Sequence, residues 1–220
     1  YPTHIQASEM EWIACCPGNL PQGMYYAWQS IVTENNGLVS VNMPLNRASE
    51  WLDVDSYIPY EGKVALHNKK AERMSFRVPN YVSRAEVQVR KNGEDVPFNW
   101  IGAYIYINGL KAGDEIDITF PLTQWTETCT LMWREDDTRK ECTDPSISQS
   151  GYPWQALETP DSFTFTFIGN TVVKIVPSVD RLTDNNTGVY RLYERDHMLN
   201  ATETPMKTVE RFVPDAFIKW

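Results

Sequence analysis

A chain of 220 residues with 42% hydrophobic residues and a net charge of −9 is long enough for one β domain or a domain with an appendage, and too apolar to be disordered throughout. The acidic balance argues against a nucleic-acid partner, because phosphate contacts need Lys and Arg gathered on one face. No run of about 18 apolar residues occurs, so no membrane partner is expected through a spanning helix.

The chain opens at Tyr1 rather than Met, which reads as a processed chain or a segment of a longer protein. Cys15 and Cys16 then stand side by side in Glu11-Trp12-Ile13-Ala14-Cys15-Cys16-Pro17-Gly18-Asn19. Neighbouring Cα atoms are about 3.8 Å apart, whereas disulfides want roughly 4.4–6.8 Å. Two free thiols at this spacing therefore point to a metal or a reactive sulfur, or to a pair packed as small hydrophobes. His4, eleven residues before Cys15, reads as structural or substrate-facing.

Asn19 can cap a helix over residues 19–34 whose apolar stripe is Leu20, Met24, Ala27, Trp28 and Ile31. Pro21 suits its first turn and Gly37 its stop. The positive end of that helix would face the cysteines and favour thiolate over thiol. A lone helix must bury its stripe somewhere; this supports a boundary near residue 36, with residues 1–36 closing a domain upstream of the chain and 37–220 forming a separate region.

From Gly37 onward the period is two. Val39, Val41 and Met43 alternate with polar neighbours, followed by Val64 and Leu66, then Met74, Phe76 and Val78. Val87 and Val89 lead to Asn92-Gly93, a strong hairpin signal. Tyr104 to Ile107, Ile116-Ile118-Phe120, Trp125 to Trp133, Phe163-Phe165-Phe167, Val172 to Val176 and Tyr190 to Tyr193 complete the strands. With few helical crossovers among them, the expected fold is mainly β, an antiparallel, jelly-roll-like β-sandwich preceded by one helix. Residues 134–160, with Pro145, Pro153 and Pro160, read as a polar surface excursion. The apolar residues of the tail, among them Phe212 and Phe217, would dock back on the sandwich or on an upstream part.

Other chemistry is sparse. His67 reads as a surface or satisfied residue, and Asp53 with Asp55 as a polar strand face, because no calcium-type loop follows them. Cys129 and Cys142 could pair but make no disulfide framework. The acceptor triplets at Asn185 and Asn200 carry little weight. Eight Trp and eleven Tyr would suit sugar-binding faces or a β core; burial of Trp51, Trp100, Trp125 and Trp133 would remove the sugar-binding use.

The double-cysteine stretch resembles glycoside hydrolase family 127, the β-L-arabinofuranosidase-like proteins, whose Cys-Cys-Pro-x-Asn segment matches Cys15 to Asn19. Val39 to Arg47, Trp51 to Lys63 and Asn108 to Asp114 extend the likeness. The resemblance implies that the helix belongs to a missing (α/α) helical barrel, the partner of the sandwich within a longer protein. It implies a retaining glycosidase acting on a carbohydrate substrate, with Cys15 as nucleophile and Cys15 and Cys16 as two ligands of a zinc ion. The family's remaining ligands and acid/base glutamate precede the double cysteine, so this chain alone is expected to be inactive. Glu127-Thr128-Cys129 lies downstream and is read as coincidence. The alternative from a different class is a non-catalytic sandwich module that supports the barrel or binds carbohydrate.

Overall fold

A computed structural model describes residues 19–135, 154–179, 189–190, 194–201 and 203–205. The chain divides into two compact units, one running to Pro121 and resumed from Thr204, the other Leu122–Glu203. Among the described residues no helix is long and apolar enough to cross a membrane.

The first unit starts with helix α1, described from residue 19 to 29, and continues through β1 (Val32–Asn35), β2 (Leu38–Val41), β3 (Leu52–Ser56), β4 (Lys63–Asn68), β5 (Arg73–Arg77), β6 (Gln88–Lys91), β7 (Glu94–Asp95), β8 (Asn99–Ile101), β9 (Tyr104–Asn108) and β10 (Glu115–Thr119). They form two five-stranded sheets, β1-β2-β5-β9-β8 and β3-β4-β10-β6-β7. The period-two pattern explains the core. Val39, Val41, Met74, Phe76 and Ile105 of the first sheet are buried, as are Leu52, Val54, Val64, Leu66, Ile116 and Ile118 of the second. Each such side chain contributes about 1.5–3 kcal/mol over its exposed state, and two apolar inner faces define a sandwich. The mainly β sandwich therefore stands as expected.

One pairing departs from the antiparallel expectation. β2 and β5 run parallel, Val39 opposite Met74 and Val41 opposite Phe76. Parallel neighbours need a long crossover, and here the β3–β4 hairpin of the opposite sheet supplies it.

The helix is shorter than its stripe implied. Residue 30 is a turn, the Ser30 hydroxyl donating to the Tyr26 carbonyl at 2.7 Å. Ile31, Val32 and Thr33 are β-branched and poor helix formers. Ile31 and Val32 enter the core at 3% and 4% exposure. Gly37 is thus no helix stop: Asn36 (φ 51°) and Gly37 (φ 80°) make the β1–β2 hairpin turn, the same left-handed pair that Asn92 (φ 52°) and Gly93 (φ 85°) make between β6 and β7. On α1, Leu20 and Met24 remain exposed. Only the end of the stripe is covered, where the Arg47 guanidinium sits 3.5 Å from the centroid of the Trp28 ring.

Just before β4, Gly62 continues the ladder with the chain leaving β10. The Phe120 amide donates to the Gly62 carbonyl at 2.8 Å, and a Cβ at Gly62 would stand 1.8 Å from the Phe120 carbonyl oxygen. Next to it, the Glu61 carboxylate accepts both the amide (3.1 Å) and the hydroxyl (2.6 Å) of Thr204, where the chain rejoins this unit. Those two hydrogen bonds hold the Glu61 carboxyl below its ordinary range.

The second unit is built on β11 (Gln124–Glu135), β12 (Trp154–Ile168) and β13 (Thr171–Val176), one antiparallel sheet. A short parallel pair, β14 (Ser178–Val179) and β15 (Val189–Tyr190), follows. Of the excursion expected at 134–160, residues 134–135 belong to β11 and 154–160 to β12, and 136–153 lie outside the described residues. Pro160 fits inside a strand because the register breaks there. Leu131 opposes Asp161 while Trp133 opposes Ala156, and such irregularities are where a sheet tolerates proline. Phe163, Val173 and Ile175 are buried in this unit, and Arg195 caps the edge of β13 with its amide on the Val172 carbonyl at 3.0 Å. The final strand, expected at Tyr190 to Tyr193, is described only as β15, and the tail lies outside the described residues.

Candidate functional site

Cys15 and Cys16, with His4 and Cys142, lie outside the described residues. The described chain starts with α1, from residue 19, whose N-terminal backbone amides favour an anion in front of them.

The residues weighed singly in the sequence converge on the polar face of the second sheet. Asp53, His67 and Glu115 share one register row, and Asp55, Ala65 and Asp117 the next. His67 contacts Asp55 through Nε2 at 2.9 Å and Glu115 through Nδ1 at 3.5 Å. Lys69 Nζ lies 2.7 Å from Asp53, and Lys63 Nζ 3.1 Å from Asp117. The face is thus laced by cross-strand pairs, the ordinary way a sheet stabilises an exposed side. Among the described residues no group of three or more His, Cys, Asp or Glu could hold a metal ion. Glu127 and Cys129 share one face of β11 with no such third partner.

Two further groups have displaced proton equilibria. Asp114 accepts the Asn92 side-chain amide at 2.9 Å and the Lys111 backbone amide at 2.8 Å. The Asn92 bond first, then the Lys111 bond, lowers its carboxyl below the usual range, so this turn is one anchor lost as pH falls. Tyr81 is the opposite case. Its hydroxyl is buried with no partner among the described residues, its ring meets Phe120 edge-on at 6.5 Å, and burial pushes the phenol up from 10.0 to about 12.

The folded state holds the Tyr81 proton more tightly than the unfolded chain does. Stability from this group is complete below about pH 10 and is lost as pH rises towards 12. Tyr81→Phe is expected to raise stability by up to about 1 kcal/mol, since an orphaned buried hydroxyl disappears, and to flatten that alkaline limb. Urea melts from pH 8 to 11.5 measure both.

Burial does not remove the tryptophans from the surface. Trp51 and Trp100 are half-buried, while Trp125 is 37% exposed and stacks on Phe167 with centroids 4.3 Å apart and planes 10° apart. The Trp133 side chain is outside the described residues. Nothing in the period-two pattern distinguishes Trp125 from a core residue; its position opposite Phe167 at the open end of the β12–β13 turn does.

The fold of much of this chain recurs in part of a solved glycoside hydrolase structure. The structure of Ara127N, a GH127 β-L-arabinofuranosidase from Geobacillus stearothermophilus T6, matches 78% of this chain with a TM-score of 0.50 at 16% identity. A GH127 β-arabinofuranosidase structure matches 43% of the chain (TM-score 0.38, 20% identity), and a glycoside hydrolase structure 53% (TM-score 0.42, 21% identity). The chain spans 27%, 19% and 21% of the lengths of these three proteins. No family model and no curated protein matches it by sequence.

Proposed function

We propose that this chain is the C-terminal portion of a retaining glycoside hydrolase acting on β-L-arabinofuranosides or related glycans. The observation that carries the reading is the order of parts: a Cys-Cys-Pro-Gly-Asn segment, a helix from residue 19, then a sandwich whose fold is shared with an arabinofuranosidase. In this reading α1 closes the end of an upstream helical barrel, which accounts for the exposed Leu20 and Met24, and the sandwich supports it.

Cys15 is the nucleophile. Its thiolate Sγ attacks the anomeric carbon, the glycosidic C–O bond breaks, and the leaving oxygen takes a proton from an acid supplied upstream. Water then cleaves the S–C bond, passing its proton to the same group and restoring the thiolate. Two attacks on one carbon retain configuration. Cys15 and Cys16 are of the donor type zinc accepts, and would supply two of its ligands, the rest coming from outside this chain. Bound zinc would keep the thiol deprotonated. Without an acid and the remaining ligands the 220-residue chain alone is inactive.

The test follows the first-formed product by proton NMR during hydrolysis of a β-L-arabinofuranoside by the parent-length protein. Release of the β-anomer supports the reading; inversion, or no turnover, overturns it.

A further inference from the structure

We propose that the Trp125–Phe167 stack on the second unit is a binding platform for an uncharged glycan, with the sugar ring seated on the free face of Trp125. The site rests on the reading of this chain as part of a glycan-processing protein and uses none of the cysteines assigned to chemistry.

The ring is held in place before any ligand arrives. Phe167 backs one face at 4.3 Å and 10°, and the indole N–H donates to the Gly169 carbonyl at 2.7 Å. That bond fixes the ring's orientation and consumes its only donor. What remains for a ligand is a flat π face on a side chain 37% exposed. A face of this kind attracts the weakly positive C–H groups of a sugar ring, and its rigidity lowers the ordering cost of binding.

The neighbouring chemistry selects the ligand. Glu127 follows on the same face of β11, roughly 7 Å along the strand, and is exposed. A carboxylate there accepts hydrogen bonds from sugar hydroxyls. It repels phosphate or uronate groups, as does the net charge of −9. A nucleobase polymer, the other common ligand of a flat aromatic ring, is disfavoured on the same ground. The occupant that fits is therefore a neutral oligosaccharide, one residue stacked on Trp125 and a hydroxyl of that residue or the next on Glu127.

Affinity electrophoresis of the 220-residue chain in native gels containing arabinan, arabinogalactan, xylan, β-glucan or galactomannan tests this. Retardation is expected in at least one gel. Trp125→Leu, which keeps apolar bulk over Phe167 but no flat ring, should weaken binding about tenfold or more, whereas Trp125→Phe stays within about threefold. Glu127→Gln, at an exposed strand position, should weaken it about fivefold; if the Leu variant loses its native circular dichroism, this variant decides. Unretarded migration of the wild type in every gel overturns the proposal, as does unchanged retardation of a folded Leu variant. Because retardation needs no turnover, a failed hydrolysis assay and a failed platform are separate results.

Discussion

Replacing Gly62 with alanine is expected to cost about 4 kcal/mol or to prevent folding of the first unit, among the largest effects a point substitution produces. The cause is local and rigid. A Cβ at this position would approach the Phe120 carbonyl oxygen to 1.8 Å and its carbonyl carbon to 2.9 Å, and both atoms belong to a ladder whose next rung is the Phe120 N–H to Gly62 carbonyl bond. Relief requires β4 and β10 to part, and β10 carries Ile116 and Ile118, both in the sealed core. Unlike a flexible side chain, a carbonyl in a ladder has nowhere to swing. By contrast, Gly93→Ala meets no atom within 4 Å and pays only for its left-handed backbone, about 1 kcal/mol. Urea melts of the two variants read out the ranking; equal losses would mean that the sheet yields at Gly62.

Cys15→Ala in the parent-length protein is expected to lower kcat by about a thousandfold or more, the scale on which removal of a covalent nucleophile acts. Loss of the nucleophile should leave substrate binding largely intact, so KM changes far less than kcat. Cys16→Ala separates the two assigned roles: it should reduce bound zinc, measured by atomic emission, while the nucleophilic sulfur itself is still present. Full activity in Cys15→Ala would remove the assignment whatever the metal content.

The period-two segments were legible from sequence because each buries one face: Val39 and Val41, Met74 and Phe76, and Ile116 and Ile118 all point inward as the alternation requires. The helix end was not. Ile31 continues the helical stripe by spacing, yet it is buried beside the β1–β2 hairpin, so tertiary burial overrode the period. The same Asn-Gly pair was readable at 92–93, where alternation precedes it, and hidden at 36–37, where a helical stripe does. Pro160 misled in the other direction, since a register break lets proline sit within a long hairpin. The parallel β2–β5 pair and the His67–Glu115 contact depend on strands distant in the chain, and neighbouring residues carry no signal of either. As for the candidate site, the double cysteine is a sequence signal outside the described residues, while the exposure of Trp125 emerged only from the fold.

The role of Cys15 is tested most directly by peptide mapping of the parent-length protein quenched during turnover of a β-L-arabinofuranoside with a fast leaving group. A nucleophilic Cys15 should leave one anhydropentose mass added to the peptide that carries it, absent from Cys15→Ala. An adduct on a carboxylate elsewhere, or turnover with no adduct at Cys15, would contradict it.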